Sequence, residues 1–67
     1  MKNKVKKLRK QRGITQKNFA KALSVSGQTI SSIDTGKYNP SLNLAFTISD
    51  FFDKKIEELF IHEKNSL

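Results

Sequence analysis

The segment that most constrains the fold is 14–36, ITQKNFAKALSVSGQTISSIDTG, which reads as two short helices joined by a tight turn. Thr15 and Ser26 are favourable N-cap residues, and apolar residues follow each of them at helical spacing. Gly36 is placed to end the second of these helices. We therefore predict a compact pair of helices here, supported by the rest of the chain.

Hydrophobic spacing elsewhere predicts three further helices. The five helices are expected at 2–12, 16–23, 27–35, 42–52 and 56–61, with residues 1–3 as either helix or extended arm. Ser41 is the expected N-cap of the fourth helix, which should supply most of the core. Its expected core residues are Leu42, Leu44 or Ala45, Phe46, Ile48 and Phe52. The predicted fold class is all-α, a compact bundle of four to five short helices in a single domain over residues 1–67.

Charge is distributed unevenly along the chain. Thirteen Lys and Arg residues oppose six Asp and Glu residues, which gives a formal net charge of +7. Residues 1–33 contain nine of the basic residues and no acid. A basic half on a small domain indicates a polyanionic partner, namely DNA, RNA or an anionic membrane surface. The first helix has only Val5 and Leu8 as apolar residues, which is too little for a membrane-surface helix.

Several other classes of protein are not indicated. The chain has no cysteine and a single histidine, His62, so neither a disulfide framework nor a metal site is expected. Glu57 and Glu58 are neighbours that face different ways on a helix, and we expect no enzyme activity. No cofactor or small-molecule ligand is evident, and no apolar run reaches the roughly 18 residues of a membrane span. A basic N-terminus without an apolar stretch is not a signal peptide, so we expect a cytoplasmic protein.

The predicted third helix has two contrasting edges. Ile30 and Ile33 fall on one side, and the opposite side carries only small or medium polar residues. These polar residues are Gln28, Ser31 and Ser32, with Gly27 and Thr29 on the flanks. A purely solvated helix usually carries Glu and Lys, whereas this edge carries short hydrogen-bond donors and acceptors. We expect it to contact the partner.

Motifs spread over most of the chain together resemble the Cro/Xre family of helix-turn-helix regulators, in particular its small stand-alone bacterial or phage members. They are Thr15, Gln16, Ala20, Val25, Ser26 and the runs 28–31 (QTIS), 36–42 (GKYNPSL) and 56–60 (IEELF). The resemblance covers roughly residues 4–61 without a gap. It implies a lambda-repressor-like DNA-binding domain whose third helix enters the major groove of double-stranded DNA.

The resemblance also implies a role for individual residues. Gln16 would meet a phosphate, Gln28 and Ser32 would face base edges, and residues 37–39 would touch the DNA backbone. The expected DNA-contacting residues are Gln16, Lys17, Ser26, Gly27, Gln28, Thr29, Ser31, Ser32, Lys37, Tyr38 and Asn39. The chemistry is suitable, since glutamine can pair bidentately with adenine and hydroxyls suit bases or phosphates.

Three positions depart from the family pattern. Gly27 stands where the family often has arginine, so a guanine contact worth about 1–3 kcal/mol of discrimination is missing. Ser24 stands where the family usually has glycine, and a left-handed conformation there would cost roughly 1 kcal/mol. Asp34 replaces the usual glutamate, and by the family pattern we expect it to form an ion pair with Arg9.

We expect the chain to act as a homodimer on a palindromic operator. A monomer of this size should not bury all its apolar residues, so Phe51, Leu59, Phe60 and Ile61 are the expected dimer interface, within a dimerisation segment and tail at 56–67. The predicted function is a sequence-specific transcriptional regulator, and a repressor because no sensor or activation surface is evident. Two alternatives are an antitoxin or phage-type interaction module and a weakly specific nucleic-acid binder.

Overall fold

The computed structural model describes residues 2–61, which form five short helices. They are α1 (Val5–Gln11), α2 (Gln16–Leu23), α3 (Gly27–Asp34), α4 (Leu42–Phe52) and α5 (Ile56–Leu59). The prediction of an all-α bundle is confirmed. The first and last helices are shorter than predicted. His62 and the rest of the expected tail lie outside the described residues.

Side-chain caps begin three of the helices at the predicted residues. The hydroxyls of Thr15, Ser26 and Ser41 each accept a hydrogen bond from the backbone N–H three residues further on, at 3.1–3.2 Å. Each bond satisfies one of the N–H groups that a helix leaves unpaired at its start. The starts of α2, α3 and α4 are therefore determined locally by the sequence.

The turn between α2 and α3 depends on a left-handed residue. Ser24 has φ 59° and ψ 41°, the conformation that glycine adopts without cost. Val25 N–H then donates to Ala20 O at 2.9 Å, and the Val25 side chain packs against the core. Because these contacts fix the turn, Ser24 adopts a conformation that its own side chain disfavours.

The two ends of the described chain are joined by backbone hydrogen bonds. Asn3 and Phe60 form an isolated antiparallel bridge, with Lys4 N–H donating to Leu59 O at 2.8 Å and Ile61 N–H to Lys2 O at 2.9 Å. Asn3 Nδ2 also donates to Ile33 O at 2.8 Å, in the last turn of α3. Of the two conformations expected for residues 1–3, Asn3 therefore adopts the extended one. Helix α5 ends earlier than predicted because Phe60 forms the bridge with Asn3 instead of continuing the helix.

All five helices contribute to one hydrophobic core. The side chains buried to 1% exposure or less are Val5, Phe19, Ile30, Ile33, Ile48, Phe52 and Leu59. Ala45 from α4 is also buried, and Leu44 packs partly against the core. Packing in the bundle therefore turns the side of α3 that carries Ile30 and Ile33 inward. The polar edge of α3 faces outward as a result.

Two residues of α4 predicted as core are exposed instead. Leu42 is 69% exposed and Phe46 is 52% exposed. The prediction was wrong because α4 has apolar residues nearly all round, so periodicity alone does not single out its inner side. Ala45, Ile48 and Phe52 define that side, and Leu42 and Phe46 lie one turn apart on an adjacent strip.

The reason given for the expected dimer interface is wrong for two of its residues, and a third, Phe51, is partly buried. Leu59 and Phe60 are buried within the single chain, at 0% and 8% exposure. The Phe51 ring lies 5.2 Å from the Phe19 ring and 5.1 Å from the Phe52 ring, in edge-on contacts. Only Ile61 of the four is exposed. Leu59 and Phe60 enter the core because the bridge draws the end of α5 against α1.

Candidate nucleic-acid interface

The exposed edge of α3 presents the polar residues identified in the sequence. Gln28 and Ser31 are exposed, while Thr29 and Ser32 are half-buried. The hydroxyls of Thr29 and Ser26 lie 2.9 Å apart, and Ser26 also caps the helix. A Cβ added at Gly27 would meet no atom within 4 Å. In the first turn of α3, Gln28 is therefore exposed, and the space next to it at Gly27 is unoccupied.

The loop that follows α3 is held against the same edge. Ser32 O accepts hydrogen bonds from Lys37 N–H at 3.1 Å and Tyr38 N–H at 3.3 Å. This folds the Tyr38 side chain, 42% exposed, back beside the start of the helix. A shallow cleft of about 220 Å³ results, and its lining residues are Ser26, Gln28, Thr29, Ser32 and Tyr38. Five of the predicted contact residues are thus brought together in one place.

The start of α2 carries two more predicted residues. Gln16 and Lys17 are both exposed and occupy the first two positions of the helix. Gln16 Nε2 donates to Asp34 Oδ2 at 3.0 Å, a contact that links the start of α2 to the end of α3. Sequence reasoning missed this contact, because residues 18 positions apart give no periodic signal.

The expected pair of Arg9 and Asp34 forms beneath this surface. Arg9 Nη2 lies 3.0 Å from Asp34 Oδ2, and the two side chains are 6% and 3% exposed. Arg9 Nη1 donates to Ile14 O at 2.7 Å. Arg9 Nε and Asp34 Oδ1 are buried with no hydrogen-bond partner among the described residues. The shorter acid therefore makes a single-oxygen contact rather than a two-pronged one.

Both arginines of the chain are engaged in the fold. Arg12 donates to Phe51 O at 3.2 Å and to Phe52 O at 3.1 Å, the carbonyls that end α4. Its guanidinium also lies 5.0 Å from the centre of the Phe52 ring. Arg9 is buried with Asp34, whereas Arg12 is exposed but held against the end of α4, so the other exposed cations of the described surface are lysines. The outer edge of α3 contains no cation at all.

An apolar groove lies beside the loop and was not foreseen from the sequence. It has a volume of about 410 Å³ and is lined by Asn39, Pro40, Leu42, Ala45, Ile56, Glu57 and Phe60. Phe46 is not among the lining residues, but it is exposed one helical turn beyond Leu42. The short loop after α3 lines both cavities, with Tyr38 in the cleft and Asn39 and Pro40 in the groove.

Within residues 2–61, no group of three or more His, Asp or Glu side chains is arranged to hold a metal ion. None of the described helices combines the length and apolar character needed to cross a membrane.

These features define a helix-turn-helix fold in which the outer edge of the second helix is polar and exposed. The family model described as helix-turn-helix matches residues 5–59, and the chain belongs to this family, of the Cro/C1 type. The chain is similar to the uncharacterized HTH-type transcriptional regulator MJ0272 of Methanocaldococcus jannaschii, with 56% identity over 94% of this chain and 96% of the relative. It is also similar to the uncharacterized HTH-type transcriptional regulator YgzD of Bacillus subtilis, with 42% identity over 97% of this chain and 100% of the relative. An uncharacterized HTH-type transcriptional regulator of Archaeoglobus fulgidus is 40% identical over 100% of this chain and 96% of its own length.

Proposed function

We propose that this protein is a sequence-specific DNA-binding transcriptional regulator that acts in the cytoplasm as a single DNA-binding domain. The observation that carries the proposal is the outer edge of α3, where Gln28 and Ser31 stand exposed above buried Ile30 and Ile33. Such an edge suits the floor of the major groove, where short donors and acceptors read base edges. The similar proteins named as transcriptional regulators support the same function.

Base reading and backbone contact fall to different residues. Gln28 is the longest side chain on the outer edge of α3, and glutamine pairs bidentately with adenine. Lys37 and Tyr38 lie at one end of that edge and Lys17 at the start of α2, where they would meet phosphates. Because the outer edge of α3 carries Gln28 and neither lysine nor arginine, its contacts favour adenine over guanine.

We expect different consequences from replacing Gln28 and Lys37 with alanine. Gln28→Ala should relax the preference for the contacted base pair by about 1–3 kcal/mol. Lys37→Ala should weaken binding to all sequences alike and reduce the salt dependence by about one released counterion. Duplexes selected from a random pool by the unchanged protein, titrated at several salt concentrations, measure both effects.

Gln11, an exposed glutamine of α1, supplies the matched control, since Gln11→Ala should leave sequence preference unchanged. Identical behaviour of the Gln28 and Lys37 variants would contradict this division of roles. Equal affinity of the unchanged protein for random and selected duplexes would instead favour a weakly specific nucleic-acid binder, a reading that the bare Gly27 supports.

The regulator would act as a homodimer, and we assign the interface to Leu42, Phe46 and the adjoining groove. Residues 38–53 contain no Lys or Arg, although the chain carries 13. Two copies with a net charge of +7 repel each other, so they approach best through this cation-free face. The exposed side chains of Leu42 and Phe46 in one copy can enter the groove of the other copy in a two-fold arrangement.

The position of this face also suits binding to DNA. The groove begins at Asn39 and Pro40, directly after Tyr38 of the cleft beside α3. Pairing there would leave both α3 helices uncovered. Two-fold dimers of this class read half-sites about 34–36 Å apart, so the operator would be palindromic. Occupying such a site is sufficient for repression, and we propose that the regulator is a repressor.

Phe46→Glu should abolish the dimer. Burying an unpaired carboxylate costs about 3–5 kcal/mol, which corresponds to a dissociation constant raised about 100-fold or more. Thr47→Glu is the matched control, because it adds the same charge to the same helix at an exposed position on the side that carries Asn43 and Asp50 rather than Leu42 and Phe46. Sedimentation equilibrium at micromolar concentration, without DNA, gives the association state.

Circular dichroism of both variants checks that the helices are intact. A monomeric unchanged protein at micromolar concentration would contradict the homodimer. A dimer that survives Phe46→Glu would place the interface elsewhere on the chain.

A further inference from the structure

We propose that Asp34 is a positioning residue that holds the Gln16 side chain in place for contact with the DNA backbone. This inference rests on the proposed DNA-binding function. Three side chains from three helices meet at Asp34 Oδ2, which accepts from Arg9 Nη2 and from Gln16 Nε2, each at 3.0 Å. Asp34 thus lies under the surface that α2 and α3 share.

The chemistry of Asp34 fixes which way the Gln16 amide faces. An ionised carboxylate only accepts hydrogen bonds, so the NH₂ end of the amide must point toward it. That NH₂ group has two N–H donors, and Asp34 takes one of them. Gln16 is exposed at the first position of α2, and the described residues provide no acceptor for its second N–H, which is therefore available to an outside partner. A phosphate oxygen can accept a hydrogen bond from this second N–H.

Arg9 makes this arrangement compatible with a DNA surface. A bare carboxylate near phosphates would repel them, but Asp34 is only 3% exposed and shares its oxygen with the Arg9 guanidinium. The carboxylate therefore orients Gln16 without presenting its charge to the solvent. Gln16 in turn donates to the same carboxylate oxygen from the start of α2.

Holding the Gln16 side chain in place before DNA binds increases the affinity for DNA. A glutamine that is free in solution loses rotamer freedom when it contacts DNA, and this loss is removed if the side chain is already fixed. The expected gain is between about twofold and tenfold in the dissociation constant. It should be independent of DNA sequence, because the contact is to the backbone.

A double-mutant comparison tests the role of Asp34. Gln16→Ala is measured in the unchanged chain and in a background in which Arg9→Met and Asp34→Leu replace the whole buried pair. Affinity for a mixed-sequence duplex is expected to fall about fivefold in the unchanged chain and less than twofold in the background without Asp34. Lys17→Ala, at the next position of α2, should weaken both backgrounds equally and serves as the control.

Equal losses for Gln16→Ala in both backgrounds would overturn the positioning role while leaving the proposed function intact. Absence of duplex binding by the unchanged protein would overturn both. NMR relaxation of side-chain amides supplies a second measurement that needs no variant. The Gln16 amide should be more ordered than that of Gln28, an exposed glutamine for which the described residues provide no side-chain hydrogen bond. Equal order parameters would also overturn the inference.

Discussion

Phe52→Ala is expected to destabilise the protein by about 3–5 kcal/mol. Phe52 is 1% exposed and contacts the Phe19 and Phe51 rings, so its removal leaves a cavity between α2 and α4. A chain of 67 residues has a total stability of about 3–10 kcal/mol, so the variant should lose about a third of its stability or more. Urea unfolding followed by circular dichroism gives the free energy of unfolding.

Phe46→Ala is the matched control, because it removes the same atoms from the same helix. Phe46 is 52% exposed, and its loss should cost about 1 kcal/mol. The comparison is made at low protein concentration, where association through α4 does not contribute. Similar losses for the two variants would show that Phe46 belongs to the core after all.

Arg9→Ala is expected to have an effect of the same size for an electrostatic reason. The substitution leaves Asp34, 3% exposed, buried without its cation and removes the donor to Ile14 O. Breaking a buried ion pair from one side costs about 3–5 kcal/mol. The measurement is again the free energy of unfolding in urea.

Replacing both partners should recover most of that loss. In Arg9→Met with Asp34→Leu no unpaired charge remains, and apolar side chains of similar volume fill the space. Arg12→Ala serves as a comparison, since Arg12 donates to two carbonyls at the end of α4 but has no buried partner charge. A double variant as unstable as Arg9→Ala would contradict this account and assign the loss to packing.

Local signals explain why most of the fold was predictable. Thr15, Ser26 and Ser41 cap the helices they were expected to cap. Gly13 and Gly36 both adopt positive φ just beyond the ends of α1 and α3. A cap or a glycine acts within one turn of its own position, so it can be read without knowledge of the tertiary structure.

The features that sequence reasoning missed depend on distant partners. The bridge between Asn3 and Phe60 is made by backbone atoms, which any residue possesses, and no side-chain pattern announces it. The sequence alone does not show which side of α4 faces outward, because Leu42 and Phe46 are as apolar as the residues of α4 that enter the core. The partner of Gln16 likewise became visible only when α2 and α3 were packed together.

The open space at Gly27 bears on how regulators of this kind diverge. No atom lies within 4 Å of a side chain added there, and the backbone is not in the left-handed region that requires glycine. In the proposed mode of binding, a new residue at this position would therefore extend toward DNA without disturbing the core. One codon could then retarget the protein to a different operator while its folding stays unchanged, so binding preference in this scaffold can evolve separately from stability.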